Sequence, residues 1–192
     1  MELFFIVSIS YLMGSIPFGY IFTKIFLKKD IRDIGSGNIG ATNALRTGNK
    51  LLGYSTLIFD VLKAVVPILI IKFNYPEFIF LSSLLIFVGH VFPVWLNFKG
   101  GKGVAVYVGI LFSLNYILVL IFVFFWFVVL IIFRFSSLSS LTASLIIPFY
   151  QFLFIDNNNY YFYIIMFILI FYTHRENIKR LINNTESKTK IY

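Results

Sequence analysis

Long apolar runs alternate with short polar stretches along most of this 192-residue chain. A helix needs about 20 apolar residues to cross the hydrocarbon core of a bilayer. Such runs predict transmembrane helices, some of them short, over 3–22, 51–71, 78–98, 104–114, 116–133, 138–155 and 160–173. The pattern therefore predicts an all-α integral membrane protein, with a single membrane domain over 1–192 and a polar tail over 174–192.

Residues 104–133 allow two interpretations, one long tilted helix or two shorter helices that turn near Asn115. Sixteen Lys and Arg are present, and fourteen of them lie in 24–50, in 99–102, at Arg134 and in 175–190. These groups all face one side of the membrane only when the chain turns near Asn115. Because cytoplasmic loops carry an excess of basic residues, we predict seven transmembrane helices, with the N-terminus outside and the C-terminus in the cytoplasm.

The composition agrees with a membrane protein. Hydrophobic residues make up 59% and charged residues 12% of the chain, with a mean hydropathy of +0.90, whereas a soluble domain carries about 25% charge. The chain begins without a basic start or a small-residue cleavage site, so we expect the first apolar run to remain in the mature protein. The absence of cysteine excludes a thiol nucleophile, a disulfide framework and a thiolate metal site. The net charge of +8 is explained by basic flanks of membrane helices, so no nucleic acid is expected; the oligomeric state stays open.

A polar, glycine-rich stretch stands out within this apolar chain, and we name residues 35–46 the first polar loop. Glycine lets the backbone approach a ligand closely, successive N–H groups form a concave anion site, and a guanidinium matches phosphate oxygens. The candidate residues of this anion site are Gly35, Ser36, Gly37, Asn38, Gly40, Thr42, Asn43 and Arg46. The G-x-G-x-x-G spacing does not indicate a dinucleotide site, because that fold needs a strand before the loop. The alternative interpretation is a flexible connector.

A second cluster of glycine and lysine precedes the apolar run at 104–114, and we name residues 98–103 the second polar loop. A helix N-terminus supplies unpaired N–H groups and a positive dipole end. We therefore predict a second anion site with the candidate residues Lys99, Gly100, Gly101 and Lys102. The spacing is not that of a Walker A loop, and the alternative is ordinary basic flanking of a membrane helix. His90, about two helical turns earlier, is predicted to be a buried structural partner.

Two further polar segments carry weaker candidates. Arg134 and Ser139 lie in a serine-rich stretch at a helix start and are candidates to complete an anion pocket, although serine is also a common helix cap. His174 and Asn177 share one face of a short predicted helix, and histidine can transfer a proton near neutral pH. The alternative for this second segment is a solvated basic tail.

Asp60 and Lys63 lie near the middle of the second apolar run, where each costs about 2.5–3.5 kcal/mol. Their i, i+3 spacing lets them pair, and we interpret them as structural support for the polar loops. The sequence lacks H-E-x-x-H, a carboxylate cluster for Mg²⁺ and a G-x-S-x-G elbow, so we expect no metal and no cofactor. The remaining groups suit phosphate binding and the stabilisation of negative charge that develops on an already activated substrate.

Four stretches together resemble the acyl-phosphate-dependent glycerol-3-phosphate acyltransferases of bacteria, the PlsY family: GSGNIGATNALR, GHVFPVWLNFKGGKGVA, RFSSLSSL and HRENIKRL. The resemblance extends from about Gly14 to Leu181. It implies transfer of a fatty acyl group from long-chain acyl phosphate to the 1-hydroxyl of sn-glycerol 3-phosphate, giving lysophosphatidic acid and phosphate without metal or cofactor. It also implies a multi-pass protein of the bacterial cytoplasmic (inner) membrane, with its active site facing the cytoplasm, in phospholipid biosynthesis.

The same resemblance assigns roles to individual residues. It implies that the catalytic and phosphate-binding set is Ser36, Arg46, Lys102, His174 and Asn177. It further implies that a substrate phosphate helps to remove the hydroxyl proton, and that the polar loops shape the pocket. A small membrane transporter of phosphorylated anions is the alternative function. That alternative requires polar residues along a complete path across the membrane, whereas the polar groups of this chain concentrate on one side.

Overall fold

The computed structural model describes residues 1–155 and 159–189, and within these ranges the regular structure is helical, with no strand. Residues 190–192 of the predicted tail lie outside the described ranges. The helices are α1 (Glu2–Ser15), α2 (Phe18–Leu27), α3 (Ala41–Leu45), α4 (Lys50–Asn74), α5 (Ile79–Val91), α6 (Val104–Leu114), α7 (Tyr116–Phe133), α8 (Ser136–Phe154), α9 (Tyr160–Thr173) and α10 (Arg175–Ile182). Short 3₁₀ turns lie at Ile31–Asp33, Pro76–Phe78 and Val94–Leu96.

Three helices, α6, α7 and α9, have the bounds expected from the apolar runs. The first expected span differs, because it breaks at Ile16–Pro17 and continues as α2 to Leu27 rather than ending at residue 22. Proline lacks the N–H that an uninterrupted helix would use at this point. The third expected span also differs, since α5 ends at Val91 rather than at residue 98, two residues before Pro93.

Four helical stretches in the described part of the chain are long and apolar enough to cross a membrane: Glu2–Leu27, Pro76–Leu96, Tyr116–Phe133 and Ser136–Phe154. The apolar helices α6 and α9 are shorter. Helix α4 has 25 residues, or about 37 Å of length, and it carries the buried Asp60 and Lys63. The count of seven spans and their orientation remain predictions.

The chain divides into two compact units, Met1–Leu114 and Asn115–Tyr192. In the first unit, α1 packs closely on α5 through small residues. A methyl group on Gly14 would overlap the backbone of Ile86, and one on Gly89 would overlap the backbone of Tyr11. Small residues of this kind let helix backbones approach each other closely. Such packing drives helix association inside a membrane, because the hydrophobic effect does not act between helices in lipid. The α1–α5 pair is therefore closely packed at the ends from which α2 and the second polar loop continue.

A compact apolar cluster lies beneath the first polar loop. Its buried members come from the 3₁₀ turn before the loop, from the loop itself, from α3, from α4 and from the turn after α5: Ile31, Ile39, Ala44, Leu52 and Leu96. Burying such side chains stabilises by about 1.5–3 kcal/mol each. The cluster therefore fixes the first polar loop on the body of the first unit instead of leaving it as a loose connector.

Helix α6 is short, and its C-terminal end is capped from α4. The ammonium of Lys72 donates to the carbonyl of Ser113 at 2.7 Å. A cation at this position satisfies an orphan carbonyl and opposes the negative end of the helix dipole. In the second unit, the Asn115 side chain caps α7 by accepting the N–H of Ile117 at 2.9 Å. These two caps explain why the helix ends fall at residues 114 and 116.

Candidate active site

The side chain of Asn43 organises the first polar loop. Its Nδ2 lies 2.8 Å from the carbonyls of Ile34 and Asn38 and 3.1 Å from that of Ile31, while its Oδ1 accepts the N–H of Ser36 at 2.9 Å. Asn43 is 2% exposed, so these bonds replace water that the loop backbone would otherwise need. Asn43 therefore acts through the shape of the loop, and its donors and acceptor are directed inward.

Several backbone N–H groups of this loop are also used internally. The N–H of Gly37 donates to the carbonyl of Ile34 at 3.0 Å, and that of Gly40 donates to the Asn38 side chain at 2.9 Å. Gly35 and Gly37 have φ of +56° and +71°, a conformation that glycine adopts without strain. The glycines thus allow the loop to fold tightly. Because several backbone N–H groups are bonded within the loop, fewer of them can bind an anion than the sequence suggested.

Ser36, Thr42 and Arg46 are the exposed polar side chains among the candidates of the first polar loop. The stem of Arg46 passes Gly35 so closely that a Cβ on Gly35 would lie 2.9 Å from Arg46 Cδ. The absence of a side chain at residue 35 thus leaves room for the Arg46 stem next to the loop backbone. Two hydroxyls and a guanidinium are therefore presented on a loop in which several backbone amides are bonded internally.

The second polar loop is pinned to the end of α5. The N–H of Gly100 donates to Val91, and that of Gly101 donates to His90, both at 3.0 Å. A Cβ on Gly100 would overlap the carbonyl of His90, and one on Gly101 would overlap the His90 imidazole. Both glycines are therefore required by close backbone packing, which the basic-flanking interpretation does not explain.

The lysines of this loop lie on either side of the two glycines. Lys99 is exposed, and Lys102 is half-buried two residues before α6 begins. Gly103 has φ of +85° and accepts the N–H of Tyr107 at 2.7 Å through its carbonyl, which starts the helix. Lys102 is consequently held at the positive end of the α6 dipole, where an anion is stabilised.

Asp60, Lys63 and His90 meet in the interior of the first unit. Lys63 Nζ lies 2.8 Å from Asp60 Oδ1 and 2.9 Å from His90 Nδ1, and it donates to the carbonyl of Ile16 at 2.7 Å. All three side chains are at most 3% exposed. The structure thus joins the three residues that the sequence suggested as structural support, and it adds the backbone of the α1–α2 break to them.

In the second unit, His174 and Asn177 are both buried, one helical turn apart at the start of α10. His174 Nδ1 lies 2.8 Å from the carbonyl of Ile170. Because that carbonyl only accepts, Nδ1 carries the proton in the neutral ring, and Nε2 is the basic nitrogen. His174 is therefore oriented as a hydrogen-bond acceptor through Nε2.

The other two candidates of this unit have local roles. Ser139 is fully buried, and its hydroxyl donates to the carbonyl of Phe135 at 2.9 Å, a back-bond that satisfies serine within a helix. Arg134 is exposed with φ of +62° and ends α7. Its carbonyl accepts the N–H of Thr189 at 2.7 Å, so the tail returns to the α7–α8 connection.

Glu186, which the sequence did not single out, ties the tail to Asn177. Its carboxylate accepts from Ser137 at 2.8 Å, from Asn177 at 2.6 Å and from Arg180 at 2.7 Å. Burial alone would raise the pKa of Glu186, but the hydrogen bonds from Arg180, Asn177 and Ser137 lower it on balance. A sequence signal existed, since Glu186 is the only acid among residues 177–192.

The chemistry of the candidate set is that of anion binding. Of the predicted catalytic residues, Ser36, Arg46 and Lys102 lie in the first unit, whereas His174 and Asn177 lie in the second. No group of three or more His, Cys, Asp or Glu that could hold a metal ion occurs within the described ranges. Cations and hydroxyls of this kind bind phosphate and stabilise developing negative charge.

Comparison with known proteins agrees with this chemistry. The family model described as glycerol-3-phosphate acyltransferase matches residues 4–184. The glycerol-3-phosphate acyltransferase of Pelagibacter ubique is 66% identical over the full length of both chains, and that of Rhodopseudomonas palustris strain HaA2 is 48% identical over 94% of this chain and 92% of its own.

Two solved structures show the same fold. The crystal structure of PlsY (YgiH), an integral membrane glycerol 3-phosphate acyltransferase, in its glycerol 3-phosphate form is 34% identical with a TM-score of 0.92, covering 99% of this chain and 96% of that one. The lysophosphatidic acid form is 34% identical with a TM-score of 0.88, covering 98% and 95%. The likeness confirms the prediction of an all-helical, multi-pass integral membrane protein. On its motifs, its fold and these relatives, the chain belongs to the glycerol-3-phosphate acyltransferase family.

Proposed function

We propose that this protein transfers a fatty acyl group from a long-chain acyl phosphate to the 1-hydroxyl of sn-glycerol 3-phosphate. The observation that carries the proposal is the pair of polar loops, each of which presents a cation, Arg46 or Lys102, on a backbone that glycines let pack tightly. Both proposed substrates carry phosphate, which such cations bind through charge-assisted hydrogen bonds. The solved relatives with glycerol 3-phosphate and lysophosphatidic acid support an acceptor and a product of this kind.

The proposed reaction is a single acyl transfer. The glycerol 1-oxygen forms a bond to the acyl carbon, the bond from that carbon to the phosphate oxygen breaks, and inorganic phosphate leaves. The hydroxyl proton passes to a phosphate oxygen of a substrate, so the protein needs no strong base. Ser36, Arg46 and Lys102 bind phosphate and stabilise the negative charge that develops, while His174 and Asn177 complete the proposed catalytic set.

We also propose the membrane arrangement. The chain crosses the inner membrane of a bacterium seven times, with the N-terminus outside and the C-terminus in the cytoplasm. The active site faces the cytoplasm. The support is the distribution of basic residues along the sequence, because cytoplasmic loops carry the excess of Lys and Arg. The acyl chain then lies among lipids while the phosphorylated head groups meet the basic loops.

The test is an assay of purified protein in lipid vesicles with acyl phosphate and glycerol 3-phosphate, in the presence of a chelator. We expect lysophosphatidic acid and phosphate in equal amounts by mass spectrometry and phosphate assay, and no product with acyl-CoA as the only donor. Absence of product from acyl phosphate would overturn the proposal. Uptake of labelled glycerol 3-phosphate into sealed vesicles without chemistry would instead support the transporter alternative.

A further inference from the structure

We propose that Lys63 is a positioning residue for acyl transfer, which fixes the first and second polar loops relative to each other from inside the first unit. The inference rests on the proposed function, in which these loops bind the substrate phosphates. Lys63 is 3% exposed and lies on α4, away from both loops in sequence. Its effect is therefore indirect, through the backbone segments to which its ammonium is bonded.

The ammonium of Lys63 contacts three different segments. It forms an ion pair with Asp60 Oδ1 on α4 at 2.8 Å, and it donates hydrogen bonds to the Ile16 carbonyl at the α1–α2 break at 2.7 Å and to His90 Nδ1 on α5 at 2.9 Å. A lysine has three N–H donors and no acceptor, so two of the three are used outside α4. Asp60 balances the charge, and the ring of Phe18 lies 5.8 Å from Nζ. The cation is thus committed to the protein itself.

One of these contacts leads to the first polar loop. Ile16 is followed by Pro17, and α2 begins at Phe18. Gly19, in the first turn of α2, packs so closely on Ile39 that a Cβ would overlap the Ile39 carbonyl. Because Ile39 is buried within the first polar loop, the position of the helix break sets the position of that loop.

The second contact leads to the second polar loop. Since the ammonium donates to Nδ1, the imidazole of His90 carries its own proton on Nε2. The Nε2 edge lies directly against Gly101, where any Cβ would overlap the ring, and the His90 carbonyl accepts the Gly101 N–H at 3.0 Å. The orientation that Lys63 imposes on His90 is therefore transmitted to the backbone next to Lys102.

A pair that only neutralised itself would not need these connections. Asp60 and Lys63 are one helical turn apart and could satisfy each other locally, and an apolar pair of similar volume is often as stable as a buried ion pair. The structure instead directs two of the three donors to other segments. What the network contributes is a fixed geometry between two loops, which catalysis by oriented charges requires to within about 1 Å.

The test compares two variants in the complete protein in lipid nanodiscs. Asp60→Leu/Lys63→Met removes the network without leaving a buried charge, whereas Lys72→Met removes another α4 lysine that donates to a carbonyl far from the loops. We expect the double variant to remain folded, with backbone amide exchange at least about tenfold faster in 35–46 and in 98–103, and kcat/KM lowered about 10- to 100-fold. The Lys72→Met protein should keep wild-type exchange in both loops and kcat/KM within about twofold, as expected for a substitution remote from them.

A further variant, His90→Asn, separates the connection to the second polar loop from the connection to the first. It also tests the inference if the double variant does not fold. His90→Asn keeps an acceptor for Lys63 and removes the ring edge beneath Gly101, so exchange should rise in 98–103 and stay low in 35–46. Unchanged exchange of both loops in the double variant, or no selective effect of His90→Asn, would overturn the inference. Amide exchange does not depend on turnover, so a wild-type protein without acyltransferase activity would contradict the proposed function and leave this test decisive.

Discussion

Removal of the Glu186 carboxylate is expected to detach the tail from α10 and α8. In Glu186→Gln, Oε1 can still accept from Ser137 and Asn177, but the amide nitrogen faces Arg180 in place of Oε2. A hydrogen bond to a charged group contributes about 1.5–3 kcal/mol. Because the Arg180 side chain is 38% exposed, solvent screening reduces the expected loss to about 1–2 kcal/mol. Glu186→Ala removes all three bonds, and we expect a larger loss of about 2–5 kcal/mol, because the bonds from Ser137 and Asn177 add about 0.5–1.5 kcal/mol each.

The same carboxylate predicts a dependence of stability on pH. The pKa of Glu186 is lowered in the folded protein, so its contribution is fully present above its unfolded pKa of about 4.3 and is lost as pH falls through the folded pKa. Wild-type protein should therefore lose tail stability on acidification below about pH 4. Glu186→Gln should lack this component, so its difference from wild type shrinks at low pH.

Two measurements check this reasoning, unfolding of nanodisc-embedded protein and initial-rate kinetics. Because Asn177 keeps its bond in Glu186→Gln and loses it in Glu186→Ala, kcat/KM should fall further in the alanine variant. The control is Glu176→Gln, whose partner Lys179 lies 3.3 Å away with both side chains more than half exposed, and which should change stability by less than about 0.5 kcal/mol. Equal stability of wild type, Glu186→Gln and Glu186→Ala would refute the role of the carboxylate.

Three further substitutions test the first unit. Lys102→Ala should lower kcat/KM about 10- to 100-fold through loss of a charge-assisted phosphate contact, as measured by initial rates. The control Lys24→Ala, at an exposed position, should keep kcat/KM within about twofold of wild type. Unchanged kinetics of Lys102→Ala would exclude the contact. Gly101→Ala should destabilise the folded protein by about 1–3 kcal/mol, because the added methyl group overlaps His90. We expect a lower melting temperature and a higher KM for glycerol 3-phosphate. A melting curve like that of the wild type would contradict the packing. Asn43→Asp keeps the acceptor but places a carboxylate oxygen against three loop carbonyls, so it should cost at least about 1–3 kcal/mol in a chemical unfolding experiment. A neutral result would refute the bonding scheme.

The long helices of the fold were predictable from the sequence, because an apolar composition is enough to specify them. Long apolar runs have few alternatives to a helix, because lipid offers the backbone no hydrogen-bond partners. Pro17 and Pro93 mark the places where the expected bounds were wrong, at the α1–α2 break and after α5. A proline signals an interruption, but whether the chain resumes as a helix, as after Pro17, or turns away depends on tertiary contacts.

The candidate site was predictable as a set of segments but not as a set of contacts. Glycines beside cations indicate anion binding from sequence, and the family prediction, which rested on the resemblance of four sequence stretches, is confirmed. The inward hydrogen bonds of Asn43, the back-bond of Ser139 and the carboxylate of Glu186 depend on which backbone groups lie nearby. The periodicity and spacing of the sequence do not specify those neighbours. Side-chain amides and hydroxyls that the sequence suggests as ligand-binding groups can therefore form hydrogen bonds to the backbone instead.

The cations of the first unit differ in burial. Lys63 is buried, with Nζ bonded to the Ile16 carbonyl and to His90 Nδ1 and paired with Asp60. Arg46 is exposed and Lys102 is half-buried, each on a loop. A buried cation held by protein groups defines geometry at the cost of its desolvation, whereas the field of a cation near solvent can attract phosphate. We therefore assign the fixing of the loops to Lys63, and the proposed binding of phosphate to Arg46 and Lys102.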